Sequence, residues 1–143
     1  MDMLQQLRDR YRKYEEQAEK AVQDAPRFAG FWGMGDDPRR HHCHDMFYED
    51  VQQWVLDFLN TQPEGETVLE AAKIILGYAD DCREKETFWY AFAAQVHVIP
   101  MFEWMTASQC RELADWYDTK YTKLERLPAQ RDMFKKLRKA AKG

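Results

Sequence analysis

The chain has little that would interrupt a helix: six glycines and five prolines in 143 residues. It is not poor in aromatics, with eight Phe, seven Tyr and five Trp. That combination excludes a low-complexity, disordered polymer and points to a compact core. Cysteine is scarce, at Cys43, Cys82 and Cys110 only. An odd number without framework spacing excludes a disulfide scaffold and suits a reducing compartment, so the expected location is the cytoplasm. No Cys-x-x-Cys or His-Glu-x-x-His pair occurs, and no Gly-Lys-Ser/Thr follows Gly30, Gly33 and Gly35. These absences remove the usual metal and phosphate-loop signatures. No stretch alternates apolar and polar residues over five or more positions, so no strand is expected. The N-terminus lacks an apolar core of signal-peptide length, so no secretion signal is expected.

Long hydrophobic runs are also missing, with one partial exception. Residues 88–99, Phe-Trp-Tyr-Ala-Phe-Ala-Ala-Gln-Val-His-Val-Ile, are apolar on every side of a helical wheel. Twelve helical residues reach about 18 Å, against about 30 Å for a bilayer core. Extension meets Pro100 and Glu103. A membrane span is therefore excluded, and a helix at about 86–99 wrapped by others is expected. Gln95 and His97 within it need hydrogen-bond partners, because a bare buried polar group costs about 1–3 kcal/mol.

The surrounding segments supply that wrapping. Leu4, Leu7, Tyr11, Tyr14, Ala18, Ala21 and Ala25 form a 3-4 seam, which predicts a long helix over 2–25. The seam lies along its own bundle or joins a second copy as a homodimer. Pro26 ends the helix, and 26–44 reads as an ordered loop anchored by Phe28, Phe31 and Trp32. Asp45 can cap a second helix carrying Phe47, Val51, Trp54, Val55 and Phe58. A third spans about 66–79, with the charged residues 80–85 as a link to the central run and the adjacent acids Asp80 and Asp81 as solvated surface. Pro100 calls for a bend. Thr106 and Gln109 then form a capping box, and Pro128 suits the first turn of a last helix. The expectation is a single all-α domain, a bundle of five to six helices around the 86–99 segment.

Charge is unevenly distributed. Residues 45–118 carry fifteen acids and four bases, a balance of −11, whereas 119–143 carry nine bases and two acids, a balance of +7. In the last helix Met133, Phe134, Leu137, Ala140 and Ala141 share one side, with Arg131, Lys135, Arg138, Lys139 and Lys142 on the other. That side can meet nucleic acid, an anionic membrane or an acidic partner, or it can face the chain's own acidic middle.

His41-His42-Cys43-His44-Asp45 is the one chemically dense cluster. Its imidazoles, thiol and carboxylate suit zinc. Adjacent side chains do not all reach one ion, so a chelate would use His42 with His44, or His41 with Cys43, plus distant residues. No nucleophile, base and orienting group stand at workable spacing, so no catalytic residue is assigned. The leading expectation is a non-catalytic module that binds another protein. Its interaction residues are Trp32, Trp104 and Trp116, with Arg131, Lys135 and Arg138 on the last helix. The alternatives are a metal-binding protein built on Cys43, His42 and His44, and a nucleic-acid accessory protein using the basic helix. No membrane is among the expected partners.

Overall fold

A computed structural model describes residues 2–24, 38–84, 93–120 and 127–143, excepting the side chains at 21–24, 38–42, 44 and 84. Those residues form six α-helices and no strand. In order they are α1 (Met3–Asp24), α2 (Pro38–Asn60), α3 (Gly65–Glu84), α4 (Gln95–Val98), a 3₁₀ helix (Ile99–Trp104), α5 (Ala107–Lys120) and α6 (Pro128–Ala141). The chain is an all-α bundle, and no described helix is long and apolar enough to cross a membrane.

The seam of α1 from Leu7 to Ala18 is spent inside the chain, and its last positions, Ala21 and Ala25, lie outside the described side chains. Asp2 accepts the Leu4 amide at 3.0 Å and starts the helix. Leu7, Tyr11, Tyr14 and Ala18 are then buried, against α2 and α3. Tyr11 stacks on Tyr78 with ring centres 3.9 Å apart, and Tyr14 stacks on Phe47 at 4.7 Å. The Tyr11 hydroxyl donates to Asp81 of α3. Trp54, buried in α2, donates its indole N–H to the Met3 carbonyl at 3.0 Å. Tyr11 and Trp54 therefore each carry their polar atom to a partner, and each such side chain contributes roughly 1.5–3 kcal/mol by leaving water.

Helix α3 buries Val68, Ala71, Ala72, Ile75, Leu76, Ala79 and Cys82. It runs five residues past the expected end, and residues 80–84 are helix rather than link. Asp80 and Asp81 are half-buried, and both have partners: Lys120 Nζ lies 3.8 Å from Asp80, and Tyr11 donates to Asp81. The expected solvated acidic pair is thus a pair of ties from α3 to α5 and α1.

Two further expectations are corrected. The loop 26–44 is too long, because α2 begins at Pro38 and not at Asp45. Proline is tolerated at the first helical position, where no amide donor is needed. Pro100 does not end the helical path either. It occupies the first turn of the 3₁₀ helix, and the chain turns at Met105 (φ −116°, ψ 151°). There the capping box forms as the sequence predicts, with Thr106 N donating to Gln109 Oε1 at 2.9 Å and Gln109 N donating to Thr106 Oγ1 at 3.1 Å.

The described part of the central run sits mid-bundle. Although only four residues long, α4 packs against α2, α3 and α6. Ala94, Gln95, His97 and Val98 are buried, whereas Val96 is 54% exposed. The segment is enclosed on several sides and open at Val96, not apolar and covered all round. Residues 88–92 of the run lie outside the described residues.

Candidate interaction surface

Helix α6 is anchored at both ends. Its Gln130 side chain is buried and its Oε1 accepts the Leu127 amide at 2.8 Å and Arg83 Nη1 of α3 at 3.2 Å. At the other end Arg111 of α5 donates to the Ala141 carbonyl at 3.1 Å, a cation on the negative end of the helix dipole. Met133, Leu137 and Ala141 are buried, and Phe134 and Ala140 pack half-buried on the same core. The apolar side of α6 is therefore consumed by the bundle.

What remains outward is mostly positive, with Asp132 the one exposed acid of the helix. Arg131, Lys135, Arg138, Lys139 and Lys142 are all exposed and fall within about 100° of the helix circumference. Arg138 pairs with Asp118 of α5, its guanidinium 4.9 Å from the centre of the Phe134 ring. Part of the basic side thus does face the chain's own acids. Lys136 pairs with Asp132 at 3.2 Å, beside this arc. Lys135, Lys139 and Lys142 make no ion pair among the described residues.

Trp104 stands at the same end of the bundle as the last turn of α6. It closes the 3₁₀ helix and is 37% exposed. A β-carbon placed on Gly143 would meet Ala107 Cβ at 3.6 Å. Ala107 is three residues beyond Trp104, so at most about 10 Å of chain separates them. The structure thus places Trp104 in the part of the chain that packs near the C-terminal end of α6.

The other residues singled out in the sequence are placed differently. Trp116 is half-buried, and Lys73 and Lys120 hold their ammonium groups 6.0 and 5.4 Å from its ring centre. Its face is occupied by the chain's own cations, a use of the ring that the sequence spacing did not suggest. Trp32 lies outside the described residues. The positions of His42, Cys43 and His44 are helical. Positions two apart on a helix lie about 200° apart around its axis, so the loop geometry imagined for a His42/His44 chelate is not the one found. The side chains of His42 and His44 lie outside the described residues. Cys43 is half-buried against the core, and among the described residues no three His, Cys, Asp or Glu converge as a metal site.

Cys43 also borders a groove of about 350 Å³ between α1 and α2, floored by Tyr14, Phe47 and Met46. Arg10 on its rim donates to the Asp50 carbonyl at 2.8 Å and lies 3.2 Å from the Asp50 carboxylate. The groove brings together cations of α1 and acids of α2, so it presents no single charge.

Titratable groups in the core are held neutral. Burial lowers the His97 imidazole from 6.5 to about 4, and its ring packs on Tyr48 at 4.5 Å. Burial, reinforced by Cys82 and Asp81, raises the Tyr11 hydroxyl well above its ordinary value, which keeps it protonated as the donor to Asp81. Burial pushes Tyr78 up to about 12 and also raises the Cys110 thiol. A buried thiol with a raised pKa is a poor nucleophile.

No known protein family, curated protein or solved structure matches the chain.

Proposed function

We propose that this chain is a non-catalytic helical module that binds another protein through the end of the bundle that carries Trp104 and the last turn of α6. The observation that carries this reading is the exposure of Trp104 in a 3₁₀ helix that packs on α6. A partly exposed tryptophan is a strong interface anchor, because it buries a large area for little lost side-chain entropy. The exposed lysines of α6 would speed and orient encounter with a negative partner. The α1 seam offers no comparable surface, since Leu7, Tyr11, Tyr14 and Ala18 are already buried.

Site-specific photo-crosslinking tests this. The full chain carrying a benzophenone amino acid at Trp104 is irradiated in nuclease-treated lysate of the source cells. The expected result is a discrete covalent adduct with one protein, competed away by excess unmodified chain. The same label at Glu16, exposed on α1, gives no such adduct. Equal labelling from both positions, or an adduct with nucleic acid alone before nuclease treatment, overturns the reading.

A further inference from the structure

We infer that the groove between α1 and α2 is where two copies of this chain join, each copy's α1 lying on the other's α2 about a two-fold axis. The groove is lined by α1 and α2 alone, so this inference stands or falls apart from the protein-binding reading. It is also distinct from the α1 seam, whose residues from Leu7 to Ala18 are buried within one chain.

The walls of the groove carry opposite signs. Arg10 and Lys13 stand on the α1 side, Glu49 and Asp50 on the α2 side, and Met46, 50% exposed, borders the same groove. Arg10 and Asp50 satisfy each other. Lys13 and Glu49 do not: both are exposed, and neither makes an ion pair among the described residues. Their levels nonetheless match. Tyr14 stacks on Phe47 and Arg10 pairs with Asp50, so the two helices run antiparallel, and residues 13 and 49 differ by only about 3 Å along the axes. A two-fold axis through the groove at that level lays the second copy's α2 over α1 and its α1 over α2. Lys13 of each copy then comes opposite Glu49 of the other, a contact that the symmetry makes twice. The exposed thioether of Met46 is covered in the same step, and methionine adapts its shape to such a contact.

The area is sufficient for a weak pair. Helix α1 has 22 residues, about 33 Å, and packed helices lie about 8–10 Å apart, so the two offer a footprint on the order of 500–600 Å². Two copies bury roughly 1,100 Å², the low end for a specific and reversible interface.

The signs of the walls disfavour other occupants. Glu49 and Asp50 repel a polyanion, Arg10 and Lys13 repel a polycation, and a membrane surface requires an apolar face where these charges stand. A small zwitterion matches both signs, but Met46, Glu49, Asp50 and Gln53 are all exposed, so the groove does not enclose such a molecule as ligand sites do. A different protein needs the same two signs in the same antiparallel order. A second copy supplies that order by construction.

Sedimentation equilibrium of the full chain tests this. Dimers are expected with a Kd on the order of 10–100 μM. Lys13→Glu and Glu49→Lys should each weaken association about tenfold, because each reverses both symmetric contacts. An equimolar mixture of the two variants should regain the original affinity, and so should the double variant Lys13→Glu/Glu49→Lys, since opposite charges face each other again. Both positions are exposed, and circular dichroism checks that the helices persist. A chain that stays monomeric up to about 1 mM, a dimer that neither reversal weakens, or weakened variants that the mixture does not rescue overturns the inference.

Discussion

Helices α1 and α6 follow the same plan and leave different surfaces. Each buries a single apolar stripe in the bundle: Leu7, Tyr11, Tyr14 and Ala18 from α1; Met133, Leu137 and Ala141 from α6. Outside, α1 mixes signs. Arg10 is tied to Asp50, Arg12 lies 3.8 Å from Asp9, and Lys13, Glu16, Glu19 and Lys20 put both signs on the exposed side. Outside α6, five bases share one arc. The amphipathic pattern therefore explains why both helices pack, and it cannot distinguish their roles. The sign of the outer face does, because a mixed face neutralises itself and a one-signed face exerts a field on a partner.

The first way to break the comparison is to test whether the two inner stripes are equally indispensable. Leu7 and Leu137 are both fully buried. Leu7→Ala and Leu137→Ala should each cost about 2–5 kcal/mol in denaturant unfolding, the range for a core leucine that leaves a cavity. A loss under about 1 kcal/mol for either would show that its helix is not packed as described.

Helix α4, packed on α2, α3 and α6, carries His97, which gives a pH dependence belonging to the centre of the bundle. The imidazole falls from 6.5 to about 4 through burial. Above pH 6.5 it is neutral in both folded and unfolded chains, and its contribution is fully present. As pH falls from 6.5 towards 4 the unfolded chain takes up the proton first, and roughly 3 kcal/mol of stability is lost. His97→Leu should flatten that part of the stability–pH curve. An unchanged slope in the variant would mean that His97 is not the group titrating.

A smaller effect separates two glycines. A β-carbon at Gly65, in the first turn of α3, would collide with the Gln109 amide that caps α5. Gly65→Ala should therefore destabilise by about 1 kcal/mol, the worth of a cap. At Gly77, mid-α3, the nearest atom to an added β-carbon is Lys120 Nζ at 3.9 Å. Gly77→Ala should stabilise by about 0.5–1 kcal/mol, because alanine favours helix and restricts the unfolded chain. Thermal melts that moved both variants in the same direction would refute this placement of α3 against α5.

The sequence carried those parts of the fold that depend on one segment at a time. The α1 seam, the Thr106/Gln109 box and the two-sided character of α6 were all legible, since each is a spacing rule within a few turns. What failed depended on neighbours. Pro38 looked like loop, although a first-turn proline is equally compatible with a helix start. Val96 looked buried, but which side of α4 is covered depends on where α2, α3 and α6 lie. Asp80 and Asp81 looked solvated because their partners, Lys120 and Tyr11, are 40 and 70 residues distant. The interaction residues were legible as types only. Neither the lysines occupying Trp116 nor the nearness of Trp104 to α6 is written in local spacing, since both arise when distant helices pack.

The most direct measurement is a chemical-shift titration of the isotope-labelled chain with the protein captured by the crosslink at position 104. The account predicts shifts concentrated at the Trp104 indole and at the amides of Arg131, Lys135, Lys139 and Lys142, with the exposed side of α1 unmoved. Shifts centred on the α1–α2 groove, or none above background at Trp104 and α6, would contradict it.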